Sequence, residues 1–298
     1  MTMEALVESW LAGHPLPALH HASDKNERGR VLVAGGAEFV PGALRLTGEA
    51  ALRAGAGKVQ MATVRSAAMS LGVLVPEAAM IALPAQEDGE IAAEAADLLA
   101  ERAQRCDTLI LGPGMSTSRQ TDELVARLLS ALEVPVTLLL DAAALTAARD
   151  LREMIAVYDG TVILTPHHGE MAHLTGLEAA AIAADPAGTA LRVAADFGAV
   201  VLLKAGESFL ADPEGRCLRY DGGCVGLATG GSGDVLAGII GGLAARGGSA
   251  FEAAAWAAWT HGAAGKRLSE DVGEVGFLAR ELLPLIPRLL HERSVEGR

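Results

Sequence analysis

The stretch best suited to chemistry is residues 228–238, Ala-Thr-Gly-Gly-Ser-Gly-Asp-Val-Leu-Ala-Gly. Its glycines allow the backbone to approach a ligand closely and to adopt φ angles that other residues resist. An apolar, helix-forming run follows, and a helix that begins near Gly233 would point its unsatisfied N–H groups at an anion. Asp234 would lie in the first turn, where the helix dipole favours a carboxylate. Beside a bound phosphate, that carboxylate can deprotonate or orient a hydroxyl, so the pattern predicts phosphoryl transfer to a hydroxyl group.

The structural alternative for this stretch is a glycine-rich turn whose Asp only helps to start a helix. Two other phosphate motifs are excluded. A Walker A motif needs Ser or Thr after Gly-Lys, and neither Gly57-Lys58 nor Gly265-Lys266 is followed by one. A dinucleotide fingerprint that starts at Gly231 needs a glycine where Leu236 stands. Residues 228–238, called the phosphate loop below, therefore form a different kind of motif.

The elements that must position this loop alternate between short apolar strands and helical runs. Residues 30–36 read as a strand with a glycine turn, residues 41 to about 53 as a helix opened by Pro41, and residues 58–64 as a second strand, which implies a parallel sheet. Five predicted strands end in a small or polar motif, namely Gly35-Gly36, Gly112-Pro113-Gly114, Asp141, Thr165-Pro166-His167 and Lys204-Ala205-Gly206. Because ligands collect beyond the carboxyl ends of parallel strands, we expect all five motifs to line one rim of a single sheet.

The remaining pattern predicts a short helix within residues 6–11, helices over 91–105 and 145–155, a hairpin over 210–220 and an amphipathic element over 277–290. No linker rich in Pro, Gly or Ser and no internal repeat is present. We therefore expect an N-terminal extension over residues 1–28 and a single domain over residues 29–298.

Composition limits the possible partners of this 298-residue chain. Its net charge of −13 argues against nucleic acid and anionic membranes as partners, although backbone amides can still bind a nucleotide. Cys106, Cys217 and Cys224 have no C-x-x-C spacing, so buried free thiols are expected rather than disulfides or a zinc site. The N-terminus carries Glu4 and Glu8 but no basic segment, and no apolar run is long enough for a membrane helix. A cytoplasmic protein is expected.

Taken together, the motifs resemble the ribokinase-like superfamily, and within it the NAD(P)H-hydrate dehydratase family. The resemblance extends from about residue 28 to 290. It depends on the following residues: Pro41-Gly42-Ala43, Ala54-Gly55-Ala56-Gly57, Gly112-Pro113-Gly114, Leu140-Asp141, Thr165-Pro166-His167-His168-Gly169-Glu170, Lys204 and the phosphate loop. It implies a three-layer αβα fold with a central, mostly parallel sheet flanked by helices.

The resemblance also implies an activity. The substrate would be (6S)-NAD(P)HX, which is NADH or NADPH with water added across a nicotinamide double bond. ADP, or ATP in some members, would phosphorylate the new hydroxyl, and loss of phosphate would restore the dinucleotide. No segment matches the epimerase domain that is often fused to such enzymes, so a separate epimerase is expected. The family also implies a homo-oligomer, a tetramer.

Site residues follow from the matched motifs. Asp234 would act as the base or orienting group, while the amides of Gly231 to Gly233 would stabilise the transferring phosphoryl group. Glu170 would order Mg²⁺ through water. The hydrated dinucleotide would contact Ala43, Gly114, His167 and Asp234. The adenosine nucleotide would contact Lys204, Ala205, Gly206, Glu207, Ser208 and Gly233.

Several of these residues have a structural interpretation as well. His167 could be a strand-end histidine with a backbone partner, although its motif favours function. Lys204 could be a surface lysine that extends to solvent, and Asp141 could simply cap the next helix. His168 is interpreted as structural or solvent-facing, and His261 as a packed core histidine.

The chain departs from the family pattern at three places. Ala143 replaces the second acid of Asp-Ala-Asp-Ala-Leu, Ala205 replaces the glycine after Lys204, and residues 222–227 lack the usual Asn-Pro. Two alternatives therefore stay open. One is a vitamin-precursor kinase of the same fold, of the hydroxyethylthiazole kinase type, and the other is a nucleotide-binding protein with weakened catalysis.

Overall fold

The computed structural model describes residues 3–17 and 24–296. Ten strands are formed by these residues: β1 (Glu4–Ala5), β2 (Arg30–Ala34), β3 (Lys58–Val64), β4 (Ala79–Leu83), β5 (Thr108–Leu111), β6 (Thr137–Leu140), β7 (Val162–Leu164), β8 (Val200–Leu203), β9 (Ser208–Ala211) and β10 (Cys217–Tyr220). They form one sheet in the order β1-β10-β9-β8-β7-β6-β5-β2-β3-β4. Across the sheet, each pair of neighbours from β8 through β7, β6, β5, β2 and β3 to β4 is parallel. The β8–β9 and β9–β10 pairs are antiparallel, and β1 pairs with β10 in parallel.

The helices of the same residues are α1 (Glu8–Gly13), α2 (Pro41–Arg53), α3 (Arg65–Leu74), α4 (Ala95–Ala103), α5 (Arg119–Ala131), α6 (Ala143–Ala148), α7 (Arg152–Ala156), α8 (His168–Thr175), α9 (Ala179–Ala184), α10 (Pro186–Phe197), α11 (Ser232–Ala245), α12 (Ala250–Asp271), α13 (Ala279–Leu282) and α14 (Ile286–Glu296). Short 3-10 turns occur at Arg149–Leu151, Val225–Leu227 and Leu283–Leu285.

The core lies on both faces of the sheet, because alternate strand residues point to opposite faces. In β2, Val31 and Val33 pack with α2, α11, α12 and α14 on one face. Leu32 and Ala34 pack with α4, α5 and α10 on the other. The predicted three-layer arrangement with a mostly parallel sheet is therefore confirmed.

The strand order brings the predicted strand ends to one rim. From β2 the chain proceeds outward to β3 and β4, and β5 then returns to the other side of β2. A parallel sheet opens a crevice where the direction of winding changes, and ligands bind there beyond the carboxyl ends of the strands. The direction of winding changes between β2 and β5, so their carboxyl ends, called the crevice below, mark the expected ligand position. The ends of β6, β7 and β8 continue the same rim.

Two glycines allow α11 to approach α2 closely. A Cβ atom at Gly242 would lie 2.6 Å from the carbonyl oxygen of Ala51, and one at Gly238 would overlap the carbonyl oxygen of Thr47. Any larger residue would push the two helices apart. Since α11 begins at the phosphate loop and α2 begins beside the crevice, this contact sets the position of one relative to the other.

The structure differs from the sequence expectations in several elements. Residues 3–17 contribute to the sheet and core: β1 pairs with β10, and Trp10 and Leu11 of α1 are buried. The helix predicted from residue 91 begins at Ala95, because Ile91 pairs instead with Ala85 in an isolated bridge. The predicted helix over 145–155 is divided into α6, a 3-10 turn and α7, while α3, α8 and α9 were not predicted.

The described cysteines are all free. Cys217 is buried as expected, but Cys106 and Cys224 are only half-buried, so the expectation of buried thiols is wrong for those two.

Among residues 3–17 and 24–296, none of the helices combines the length and the apolar character that a membrane crossing requires.

The contact between α11 and α2 can be tested with Gly238→Ala. The added methyl group meets backbone rather than a flexible side chain, so the free energy of unfolding should fall by about 1–3 kcal/mol. Denaturant unfolding monitored by circular dichroism measures the change. Gly13→Ala is the matched control, because nothing lies within 4 Å of a Cβ at that helix end. Equal stability of the two variants would contradict this account of the helix contact.

Candidate functional site

The phosphate loop ends in a turn that only glycine fits. Helix α11 begins at Ser232, one residue before the predicted start, and Gly231 precedes it with φ of 89°, in the left-handed region. A Cβ atom at Gly231 would lie 2.5 Å from Leu46 of α2 and 3.2 Å from Ala279 of α13. The turn therefore packs between two helices. The Ser232 N–H donates to the carbonyl oxygen of Thr229 at 3.3 Å, and no side chain caps this helix end, so the next N–H groups remain for a ligand.

Asp234 lies in that first turn and is half-buried. Burial raises the pKa of its carboxyl group to about 7, and the negative charge of Asp141 contributes to the rise, while Lys204 opposes it. A carboxylate with a pKa near 7 can both accept and release a proton at neutral pH, which is what a general base requires.

A cluster of charged side chains lies beside the loop. Lys204 Nζ lies 2.8 Å from Asp141 Oδ1 and 3.9 Å from Glu170 Oε2. Burial alone would lower the pKa of Lys204, but the charges of Asp141 and Glu170 outweigh it and raise the pKa. The ammonium group therefore stays protonated, and the interpretation of Lys204 as a surface lysine is wrong.

Asp141 does not cap the following helix. The residue before α6 is Ala142, and no side chain caps that helix end. Asp141 is only 2% exposed. Its carboxylate instead accepts hydrogen bonds from Thr165 Oγ1 at 2.6 Å and from Lys204 Nζ. The capping interpretation is therefore wrong, and this contact between three strand ends was missed. Its only signal in the sequence was the polar residue at the end of each strand.

Ala142 itself adopts φ of 49° and ψ of −125°. It is the one described residue other than glycine with a positive φ. Such a backbone conformation costs energy for a residue with a Cβ, and backbone strain of this kind clusters at functional sites. It follows directly after Asp141, at the centre of the rim.

His167 and Glu170 are joined by reciprocal hydrogen bonds that cap the N-terminus of α8. His167 Nδ1 accepts the N–H groups of Gly169 and Glu170 at 2.9 and 3.2 Å, and Glu170 Oε2 accepts the His167 N–H at 2.8 Å. A neutral His167 therefore carries its hydrogen on Nε2. Nε2 lies 3.7 Å from Glu170 Oε1, beyond hydrogen-bond distance, and the His167 side chain is 59% exposed, so a ligand can reach it.

Glu170 is the predicted magnesium residue. Burial raises the pKa of its carboxyl group, while Lys204 opposes the rise. No group of three His, Cys, Asp or Glu side chains in the described part of the chain could hold a metal ion by itself. Mg²⁺ commonly binds through one or two carboxylates, water and substrate phosphates, so a single Glu170 carboxylate fits that cation.

Two of the residues assigned to the dinucleotide, Ala43 and Gly114, are in close contact at the crevice. A Cβ atom at Gly114, after β5, would lie 2.9 Å from the Cβ of Ala43 in α2 and 2.7 Å from the carbonyl oxygen of Val40. Gly36 donates its N–H to the carbonyl oxygen of Pro113 at 2.7 Å, which joins the two loops. His167 follows β7, two strands away from β5 and Gly114 on the same rim, and pairs with Lys204 in an isolated parallel bridge.

The residues assigned to the nucleotide form the turn between β8 and β9. Ser208 Oγ lies 3.3 Å from the N–H of Ala205 and 3.2 Å from its carbonyl oxygen, which fixes the turn. Glu207 pairs with Arg219 at 3.3 Å. The turn connects directly to Lys204, whose ammonium lies 3.6 Å from the position of a Cβ at Gly233. The structure thus brings this segment and the phosphate loop together.

His261 is not an isolated core residue. Its Nε2 atom, on α12, lies 3.0 Å from the carbonyl oxygen of Ser232 and 2.9 Å from Ser232 Oγ. A carbonyl oxygen only accepts, so Nε2 must carry a hydrogen. Burial lowers the pKa of His261 to about 4, which keeps the ring neutral. This histidine supports the first turn of α11 from behind, a role that its place in an alanine-rich helix did not predict.

Comparisons with known proteins identify the family of this chain. A family profile described as NAD(P)H-hydrate dehydratase matches residues 31–288. The chain is 45% identical over 280 residues to the ADP-dependent (S)-NAD(P)H-hydrate dehydratase of Xanthomonas campestris, covering 94% of this chain and 93% of that protein. It also matches bifunctional NAD(P)H-hydrate repair enzymes, and spans about half of their length.

Two solved structures have the same fold. The ADP/ATP-dependent NAD(P)H-hydrate dehydratase of Bacillus subtilis, co-crystallised with ATP and Mg²⁺, superposes with a TM-score of 0.83 at 27% identity, covering 98% of this chain and 99% of that one. A ribokinase-like superfamily protein of Enterococcus faecalis superposes with a TM-score of 0.83 at 25% identity, covering 98% and 96%. The predicted ribokinase-like fold is confirmed.

The raised pKa of Asp234 makes a prediction about stability. Its value of about 7 exceeds the ordinary 3.8, so the folded state binds the proton more tightly than the unfolded state. The contribution of this group to stability is complete below pH 3.8 and is lost as the pH rises through about 7. Asp234→Asn should therefore raise Tm at pH 8 by about 2–4 °C, and by less at pH 5. Differential scanning calorimetry at both pH values measures this, and a lower Tm for the variant at pH 8 would contradict the account.

Proposed function

The chain belongs to the NAD(P)H-hydrate dehydratase family, and we propose that its rim catalyses the ADP-dependent dehydration of (6S)-NAD(P)HX to NAD(P)H. The observation that carries the proposal is the convergence of three features at one end of the sheet. These are the phosphate loop, an Asp234 carboxyl group with a pKa near 7 and the close contact of Ala43 with Gly114 at the ends of β2 and β5.

In the first step, the hydroxyl group of the hydrated nicotinamide attacks the β-phosphorus of ADP. A bond forms between that oxygen and phosphorus, the bond to the bridging oxygen breaks, and AMP leaves. Asp234 takes the hydroxyl proton, which its pKa allows at neutral pH. The N–H groups of Gly231 and Gly233 would stabilise the negative charge that accumulates on the phosphoryl oxygens, while the Ser232 N–H already donates to the carbonyl oxygen of Thr229.

In the second step, the lone pair of the ring nitrogen expels phosphate from the adjacent carbon. Loss of a proton from the neighbouring carbon then restores the ring double bond. The products are NAD(P)H, AMP and phosphate, so the net chemistry is a carbon–oxygen lyase reaction coupled to phosphoryl transfer. Phosphorylation converts hydroxide, a poor leaving group, into phosphate, a good one.

The two ligands occupy different parts of the rim in this proposal. The hydrated dinucleotide lies in the crevice at Ala43 and Gly114, with the Nε2–H of His167 as a further donor. The adenosine nucleotide lies along residues 204–208 and reaches Gly233 with its phosphates. The short distance from Lys204 to Gly233 supports this arrangement, because it joins the nucleotide turn to the phosphate loop.

Glu170 would hold Mg²⁺ through water between the nucleotide phosphates and the rim. When bound, the cation neutralises phosphate charge during transfer. Three further expectations stay predictions from the family resemblance: a homotetramer, a cytoplasmic location and a separate epimerase that supplies the S epimer.

Recovery of reduced-nicotinamide absorbance from hydrated NADH tests the function directly. The purified protein is incubated with Mg²⁺ and with ADP, ATP or no nucleotide. We expect recovery that depends on ADP and releases AMP and phosphate. A stable phosphorylated product would instead support the vitamin-precursor kinase, and nucleotide binding without recovery would support the weakened binder.

Asp234→Asn tests the assigned base in the same assay. The amide cannot accept the hydroxyl proton, so kcat should fall by on the order of 10²-fold or more. The affinity for AMP, measured by calorimetry, should change little because the backbone of the phosphate loop is unaffected. Wild-type kcat/KM should also fall as the pH is lowered through about 7. Near-normal turnover by a folded variant would remove Asp234 from the mechanism.

A further inference from the structure

Asp141 makes a contact that the proposed mechanism does not use. It lies at the end of β6, and its Oδ1 atom accepts from Thr165 after β7 and from Lys204 after β8, at 2.6 and 2.8 Å. Three neighbouring strands therefore place one side chain each at a single point. Asp141 and Thr165 are almost fully buried, at 2% and 1% exposed, so their own geometry is fixed by packing.

Hydrogen bonds fix both the backbone and the side-chain end of Lys204. Its backbone N–H donates to the carbonyl oxygen of Pro166 at 2.7 Å, and its Nζ is held by Asp141. At that position Nζ lies 3.6 Å from where a Cβ at Gly233 would be. The ammonium is thus directly beside the first turn of α11.

An ammonium group has three hydrogens to donate. One is used by Asp141, and Glu170 Oε2, at 3.9 Å, is beyond hydrogen-bond distance. The group therefore keeps donors for a phosphate at the loop. A free lysine side chain would lose considerable conformational freedom on binding such a ligand, whereas one already held in place loses little.

We infer that Asp141 and Thr165 are positioning residues that hold the Lys204 ammonium against the phosphate loop, where it stabilises the phosphoryl group in transfer. The inference rests on the proposed function and gives Lys204 a role beyond retention of the nucleotide. Asp141 touches no reacting atom. It positions Lys204, and its charge also contributes to the raised pKa of Asp234. Thr165 acts one step further away, because its hydroxyl orients the Asp141 carboxylate.

The kinetic test compares Asp141→Ala with Thr165→Val and Thr165→Ser. Asp141→Ala should lower kcat by about 10- to 100-fold while the KM for ADP changes less than about threefold, since the interaction lost is strongest in the transition state. Thr165→Val should lower kcat by about three- to tenfold, and Thr165→Ser, which keeps the hydroxyl, should restore it. In a Lys204→Met background, Asp141→Ala should cause no further loss of kcat at pH 8, because its positioning role needs the ammonium; the remaining charge effect of Asp141 on Asp234 should only shift the pH profile to lower pH.

Asp212→Asn is the matched control for loss of a buried carboxylate. Asp212 is 1% exposed and pairs with Arg216 in the β9–β10 turn, away from the rim. This variant should lose stability with kcat unchanged, which separates a general loss of stability from a loss at the site. Thermal unfolding of every variant shows which of them are folded under the assay conditions.

A binding measurement tests the same inference without turnover. Inorganic phosphate is titrated by calorimetry into protein saturated with AMP. Asp141→Ala should weaken phosphate binding about tenfold and leave AMP binding unchanged. Wild-type phosphate affinity in the folded variant, or a kinetic loss confined to the KM for ADP, would overturn the inference. Failure of the wild type to convert hydrated NADH would overturn the proposed function, while the phosphate titration would still decide the role of Asp141.

Discussion

One ammonium group compensates for three carboxylates at the rim, and the remaining features of the site depend on that balance. Lys204 binds Asp141 directly, lies 3.9 Å from Glu170 and lowers the pKa of Asp234 against the effect of burial. A second cation at this point would leave Asp234 permanently ionised and a weaker base. With no cation, three buried negative charges would repel each other and any incoming phosphate. With one positive charge, Asp234 keeps a pKa near 7, and the cluster can still bind an anionic ligand.

This balance requires precise placement, which comes from the sheet. Asp141, Thr165 and Lys204 end three neighbouring parallel strands, so the spacing of the strands sets the spacing of their side chains. The phosphate loop approaches from another layer, and its position depends on the close contact of α11 with α2 at Gly238 and Gly242. Buried Asp234 and strained Ala142 are costs to stability at the site, and the extensive cores on both faces of the sheet offset them.

Much of the fold could be predicted because its signals are local. The strand Lys58–Val64 and the helix Pro41–Arg53 have the predicted bounds. A glycine break before the strand and a proline at the first helical position are signals that act within one segment. The predicted start of α4 at residue 91 is wrong because Ile91 pairs with Ala85 in a β-bridge, a contact that local spacing does not reveal. Residues 3–17 were expected to precede the domain, but β1 completes the sheet edge through pairing with residues more than 200 positions later.

The sequence by itself determined the chemical groups and their order: the glycines and Asp234 of the phosphate loop, and a small or polar motif at the end of each central strand. Only the tertiary structure decided what those groups do to each other. The pKa of Asp234 near 7, the commitment of Asp141 to Lys204 rather than to a helix cap, and the support of Ser232 by His261 all arise from burial and from contacts between distant segments. Electrostatic energy depends on distance and on the exclusion of water, and neither exists until the strands and helices have packed.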